Sequence, residues 1–363
     1  MVVKIPELLT SVNGEKIDTV EKWENSRRKE IMDLFSEYVY GVRPVERPDD
    51  ISFSVEREDN YLGYGVTKKT VSITFAGYTM KVYGFQPANI TGKIPAIIYA
   101  MHEYEEERCN IVTDMVCEFV DIKEIIRRGY AVFIMFTSCI APDWEAKCEY
   151  KAGVYPLYDK ERDEKSWATI SAWSWGTSRI LDYIETDNEL DATKVAVAGH
   201  SRGGKTALWA GATDQRFFVA YSNASGCTGA AVLRGKKGEH IKDINITDWF
   251  CGNYHKFNDN EDALPVDQHM LIAAQAPRNC YIQSCSLDEW ADPAAERLSC
   301  RLANEVYALY GKTGVVLPEE GKVENDTSYH DGTIGYHMRS GSHCIIYEDW
   351  RHFLDFFDKK LGK

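Results

Sequence analysis

Apolar positions along the chain change their period twice. From Val20 to Tyr40, Trp23, Ile31, Leu34, Phe35, Tyr38 and Val39 recur at helical spacing until Gly41 and Pro44 stop the pattern, which predicts a first helix. From Ile51 to Phe85 the period shortens to two (Ile51, Phe53, Val55; Val71, Ile73, Phe75; Met80, Val82, Gly84). With a turn at Ala76-Gly77, this stretch reads as an antiparallel meander. After Lys93, unalternated apolar runs appear at Ile94 to Met101, Tyr130 to Phe136, Val195 to Ala198 and Cys280 to Ser284. Strands buried on both faces have this form, and they belong to parallel sheets covered by helices. Ala168 to Glu185 carries the clearest crossover helix. The expected organisation is a single α/β domain: a helical extension over 1–50, antiparallel strands over 51–90 and a core over 91–363.

Composition narrows the partners. Among 363 residues, 42 basic and 56 acidic side chains give a net charge of −14, and no Lys/Arg-rich run offers the patch that nucleic acid or an anionic membrane surface would need. No stretch of 18 apolar residues is present. The opening Met1-Val2-Val3-Lys4-Ile5-Pro6-Glu7 lacks a basic start followed by a long apolar run. Ten cysteines (Cys109, Cys117, Cys139, Cys148, Cys227, Cys251, Cys280, Cys285, Cys300 and Cys344) show no C-x-x-C spacing and read as small buried hydrophobes rather than a disulfide framework. Both features favour a cytoplasmic setting over a secreted one, unless a leader has been removed. No His/Cys/carboxylate cluster has metal-ligand spacing, so neither metal nor organic cofactor is expected.

One turn carries chemistry. Lys194-Val195-Ala196-Val197-Ala198 leads into Gly199-His200-Ser201-Arg202-Gly203 and then into the helix-forming Gly204-Lys205-Thr206-Ala207-Leu208-Trp209-Ala210. Strand, G-x-S-x-G and helix together describe a sharp turn that lifts a serine hydroxyl out of the sheet, beside a helix N-terminus able to stabilise an oxyanion. The serine needs a base, and in folds with this turn the partners follow as acid, then histidine. His102 precedes the serine. His200 adjoins it and points elsewhere at such an elbow. His240, His255 and His269 come too early for the last strand, and His352 falls in a helical stretch. His330 and His337 remain outside candidates. His343, in the small-residue loop Arg339-Ser340-Gly341-Ser342-His343-Cys344 before a C-terminal helix starting near Glu348, is the expected base. Among Asp288, Glu289 and Asp292, the last precedes Pro293 and reads as a helix N-cap, which leaves Asp288 as the acid that fixes the histidine tautomer.

Longer stretches extend this motif. They are Gly199 through Ala212, Ser225-Gly226-Cys227, Leu264-Pro265-Val266-Asp267-Gln268-His269, Leu287-Asp288-Glu289-Trp290-Ala291-Asp292-Pro293, and His343 with Asp349-Trp350. On these the chain resembles the bacterial glucuronoyl esterases, the α/β-hydrolases of carbohydrate esterase family 15, from about Trp167 to the C-terminus and more loosely before it. The resemblance implies an α/β-hydrolase fold, with a mostly parallel sheet between helical layers. It implies Arg202 as an oxyanion donor, Lys205 and Glu239 as partners of sugar hydroxyls, and Trp290 as a flat face for a pyranose ring. Taken alone, Arg202 could instead pair with a carboxylate and Lys205 could be a solvated helix lysine. Many relatives carry a carboxylate just before the Ser-Gly pair, where this chain has Ala224. The acidic role therefore falls on Asp288. The loop His102-Glu103-Tyr104-Glu105-Glu106-Glu107 is unusually acidic, with His102 a candidate wall of the site or a histidine bonded to backbone.

The expected function is a serine carboxyl esterase acting on glucuronoyl or 4-O-methyl-glucuronoyl esters, with a small-molecule or oligosaccharide uronate ester as substrate. An acetylxylan esterase or another carbohydrate carboxylesterase of the same fold is the alternative. A catalytically weak uronate-binding protein is a third reading.

Overall fold

The computed structural model describes residues 4–106, 108–143, 150–319 and 321–363. Glu107 and Cys148 of the sequence reading, with the first three residues, lie outside these.

Among the described residues ten strands form one sheet: β1 Ser52–Glu58, β2 Val66–Phe75, β3 Tyr78–Pro87, β4 Ile94–Met101, β5 Ala131–Phe136, β6 Leu190–His200, β7 Val219–Asn223, β8 Asn279–Cys285, β9 Thr327–Tyr329 and β10 Ile334–Arg339. Their spatial order is β1-β2-β3-β5-β4-β6-β7-β8-β10-β9. The segment from β5 through β10 is parallel, while the meander β1-β2-β3 and the short β9 pair antiparallel at the two ends. Every residue of β4 is buried, as expected of a strand covered on both faces. The sequence reading did not single out β7, whose apolar letters Val219, Ala220 and Tyr221 give way to Ser222 and Asn223, or β10, which polar letters interrupt. In β10, Gly335, His337 and Arg339 break the apolar run yet are buried, the last two with hydrogen-bond partners.

Helices cover both faces. The structure places α1 at Ile122–Arg127, α2 at Thr169–Ile184, α3 at Arg202–Thr213, α4 at Pro293–Leu309 and α5 at Tyr347–Leu361. One apolar layer joins the helical run 20–40 with α2, α3 and α4, and the other joins α1 and α5. The run 20–40 is helical throughout, with wider turns at Trp23–Arg27 and Ser36–Tyr40. In α5, Trp350, Phe353, Phe356 and Phe357 are fully buried at helical spacing. At roughly 2–3 kcal/mol for each such side chain, this stripe clamps the helix to the sheet. It thereby anchors the loop 340–346 that precedes α5.

The cysteines depart from expectation at one place. Cys109 and Cys117 pair as a disulfide, because an antiparallel bridge between Asn110 and Val116 brings their Cα atoms within 4.6 Å. Among the described residues seven others are free, five of them buried.

Candidate active site

The turn between β6 and α3 leaves room only for glycine at its flanks. A Cβ on Gly199 would lie 2.2 Å from the Gly203 carbonyl oxygen, and one on Gly203 would lie 2.7 Å from that of Ala100. Between them Ser201 adopts φ 53° and ψ −119°, a strained conformation for a residue with a side chain. Its N–H donates to the Asn223 carbonyl at 2.8 Å, and its carbonyl accepts from Gly204 and Lys205. The hydroxyl does not cap α3. The backbone holds the residue at the helix entrance while Oγ remains available for other chemistry.

Because β6, β8 and β10 run parallel, the loops after them gather at one edge of the sheet. Asp288 follows β8 and His343 follows β10, and their side chains meet with Nδ1 of His343 2.6 Å from Oδ2 of Asp288. Asp288 is buried and His343 is 43% exposed. Burial raises the Asp288 carboxyl, but the hydrogen bond and charge of His343 outweigh it, so the group sits below its ordinary value. The His343 ring packs 4.7 Å from the ring of His200, the chain neighbour of Ser201. His200 itself is held by Asn223 at 2.7 Å, and burial with the nearby His343 pushes it down to about 3.

The remaining histidines have other occupations. His330 and His337 both meet the Tyr281 hydroxyl, His337 also meets Asp349, and His352 lies on α5 against Ser328. His102 ends β4 with both ring nitrogens buried and without a hydrogen-bond partner among the described residues, so it is not bonded to backbone. Glu105 lies 3.7 Å away and accepts from Tyr99, and burial raises its carboxyl to about 8. Asp292 caps α4, accepting from Ala295 N–H.

Next to Ser201 in the chain, the Arg202 guanidinium donates to Asp143 at 2.6 Å and lies 4.5 Å from the Trp249 ring centroid. The Trp249 indole N–H donates to the second Asp143 oxygen at 2.8 Å. The reading of Arg202 as paired with a carboxylate thus describes its geometry. A guanidinium carries five donors, so this pairing is compatible with donation to an oxyanion.

Lys205 is buried rather than solvated. Its ammonium donates to the carbonyls of Ser225 (2.5 Å) and Cys227 (2.7 Å) and lies 3.6 Å from Glu239 Oε2. The other Glu239 oxygen accepts from the indole of Trp290 at 3.0 Å, and Trp290 is 56% exposed. Lys205, Glu239 and Trp290 therefore form one connected row. Beside Trp290 opens a groove of about 700 Å³ bordered by Lys237, Leu287 and Arg297, whose walls do not include Ser201.

At Ala224 no carboxylate projects, but Glu296 from α4 reaches the same turn, accepting from Gly226 N–H at 2.9 Å and from the Ser284 hydroxyl at 2.6 Å. Burial raises its carboxyl to about 7. The sequence reading missed Asp143, Trp249 and Glu296. No motif marks the first two, and Glu296 occupies the first turn of a helix, where acidic residues are routine.

The chain can now be set beside known proteins. A family model for glucuronyl esterases of fungi matches residues 86–311. A carbohydrate esterase from an unknown prokaryotic organism, MZ0003, is 35% identical over 98% of this chain and 89% of its own. The solved glucuronoyl esterase of Solibacter usitatus is 31% identical, covers 99% of this chain and 98% of that one, and superposes with a TM-score of 0.88. The 4-O-methyl-glucuronoyl methylesterase of Schizophyllum commune is 28% identical over 85% of this chain and 74% of its own. With Ser201 at a strand-to-helix elbow and an Asp288–His343 pair beside it, the chain belongs to the glucuronoyl esterase family, carbohydrate esterase family 15, and has its α/β-hydrolase fold.

Proposed function

We propose that this protein hydrolyses glucuronoyl and 4-O-methyl-glucuronoyl esters of xylan-type carbohydrates through an acyl-enzyme on Ser201. The observation that carries the reading is the 2.6 Å contact between His343 and Asp288 beside the elbow. With Nδ1–H donated to the carboxylate, the imidazole presents Nε2 as its basic nitrogen. Nε2 takes the Ser201 proton as Oγ attacks the uronoyl carbonyl. Asp288 holds the tautomer and stabilises the imidazolium without taking the proton. The tetrahedral oxygen develops where the N-terminus of α3 and the Arg202 guanidinium supply positive charge. Collapse expels the alcohol with the proton from His343. Water, deprotonated by the same imidazole, then attacks the acyl carbon and releases the uronate and the serine.

The row Lys205, Glu239 and Trp290 supports a sugar acyl group. Buried polar groups with hydrogen-bonding capacity favour hydroxyls, and an exposed indole offers a face to a pyranose ring. The test is direct competition between benzyl glucuronate and acetylated xylo-oligosaccharides, measured as kcat/KM. The proposal expects the glucuronate ester to be preferred by at least about tenfold, and a clean preference for acetyl groups contradicts it.

A further inference from the structure

We propose that Arg339 is the positioning residue of the His343 base, acting from inside the loop that carries it. The inference rests on the reading of His343 given above and extends it to the machinery behind the imidazole.

Arg339 is the last residue of β10, and its side chain is buried where the chain turns into the loop 340–346. Its guanidinium collects the carbonyl oxygens of that loop. One terminal nitrogen donates to Ser340 at 2.7 Å, and the other donates to Ser342 at 2.8 Å and to Cys344 at 3.0 Å. Ser342 and Cys344 flank His343, so a single nitrogen ties the backbone on both sides of the base. The Ser342 carbonyl lies in the peptide that joins it to His343 and the Cys344 carbonyl in the peptide one residue further on, so the two bonds restrain the stretch of backbone from which the His343 side chain departs.

The guanidinium is itself held from behind. Its Nε donates to Oδ2 of Asp349 at 3.2 Å, and the same oxygen accepts from Ile346 N–H at 2.9 Å, the far end of the loop. Asp349 is fully buried in the first turn of α5, and its other oxygen meets His337 on β10 at 3.0 Å. An Arg whose donors fit carbonyl and carboxylate acceptors in one plane is rigid in a way that a flexible lysine is not. The loop has shaped itself around this group. Gly341 has φ +121°, and a Cβ there would lie 2.7 Å from the Arg339 terminal nitrogen.

The clamp also reaches the acid. The Arg339 carbonyl accepts from Ser286 N–H at 2.8 Å, the Gly341 carbonyl accepts from Leu287 N–H at 2.9 Å, and Gly341 N–H donates to the Ser286 hydroxyl at 3.2 Å. Ser286 and Leu287 immediately precede Asp288. These main-chain bonds set the base loop against the acid loop, and the guanidinium braces the loop that makes them and carries His343 to its 2.6 Å contact with Asp288.

The test is steady-state kinetics of R339Q and R339K on benzyl glucuronate, with H343A alongside and each variant assayed well below its own melting temperature. A base displaced by about 1 Å costs on the order of 10²-fold in rate. The expected result is a kcat lower by about that factor in R339Q with KM within about threefold of wild type, and recovery of about tenfold in R339K, whose ammonium reaches fewer acceptors. Wild-type kcat in both variants, or a rise in KM at unchanged kcat, overturns the positioning role. If R339Q fails to fold, R339K alone decides, since a kcat within twofold of wild type overturns the proposal. Failure of the underlying reading shows separately, as undiminished turnover in H343A.

Discussion

In one part of the site the His343 imidazole is held by Asp288, each residue on a loop that follows a strand of the same parallel sheet; in another, the Arg202 guanidinium is held by Asp143 and packs on Trp249, both from irregular segments. The base side is built from adjacent parallel strands, β8 and β10, whose loops must emerge at one edge. The arginine side has no such guarantee. Its alignment includes the ion pair with Asp143, whose second oxygen accepts the Trp249 indole hydrogen bond. The difference teaches that parallel topology brings the loops of Asp288 and His343 to one edge, where Arg339 braces them locally, while Arg202 is held from segments far away in the chain.

Variants at the two supports sharpen this contrast, beginning with the acid. D288N keeps the shape of the pair but leaves His343 in the wrong tautomer, so kcat on benzyl glucuronate is expected to fall by about 10³–10⁴-fold. A loss below tenfold would place the acid elsewhere. D143N comes next. It removes a charge paired with Arg202 and leaves the Asp288–His343 pair itself unchanged, and kcat is expected to fall by about 10²-fold, no more than removing one oxyanion donor costs. A D143N loss as large as that of D288N would erase the distinction between the sides.

W290A lies further from the reacting atoms. KM for glucuronate esters is expected to rise by about tenfold while hydrolysis of a small acetyl ester stays unchanged, because only the sugar uses that face. Equal effects on both substrates would remove Trp290 from sugar recognition.

The smallest effect concerns Glu296, buried against Gly226 and Ser284. In the folded protein burial keeps its proton on up to about pH 7, whereas the unfolded chain releases it near the ordinary 4.5. Between those values the folded state binds more protons, so stability falls as pH rises from about 5 to 7. E296Q cannot ionise, and its melting temperature is expected to lose less over that range than that of wild type, by a few degrees. Parallel pH dependence in the two proteins would contradict the assignment.

The same contrast explains what could be read in the sequence. Ser201 was legible because an elbow admits so few residue types at its flanks, and the unalternated runs gave the buried strands β4, β5 and β8. The ends of the meander and the helix at Thr169–Ile184 followed from period alone. His343 and Asp288 were legible from chain order, since loops after the last parallel strands have a fixed place. β10 was not, because its polar residues are buried with partners that only the fold supplies. Asp143 and Trp249 were equally hidden. An ion pair between distant irregular segments leaves no period, and neither residue sits in a recurrent spacing. Lys205 shows the limit from the other direction: a helix lysine one turn past Ser201 reads the same whether solvated or buried, and its burial is set by the carbonyls of Ser225 and Cys227.

The central claim is that Ser201 is the nucleophile and His343 its base. Labelling with a fluorophosphonate, followed by peptide mass spectrometry and by the labelling rate in wild type and H343A, addresses both halves at once. The account predicts a single adduct on Ser201, formed at least about 10³-fold more slowly in H343A. An adduct on another residue, or an unchanged rate in H343A, would contradict it.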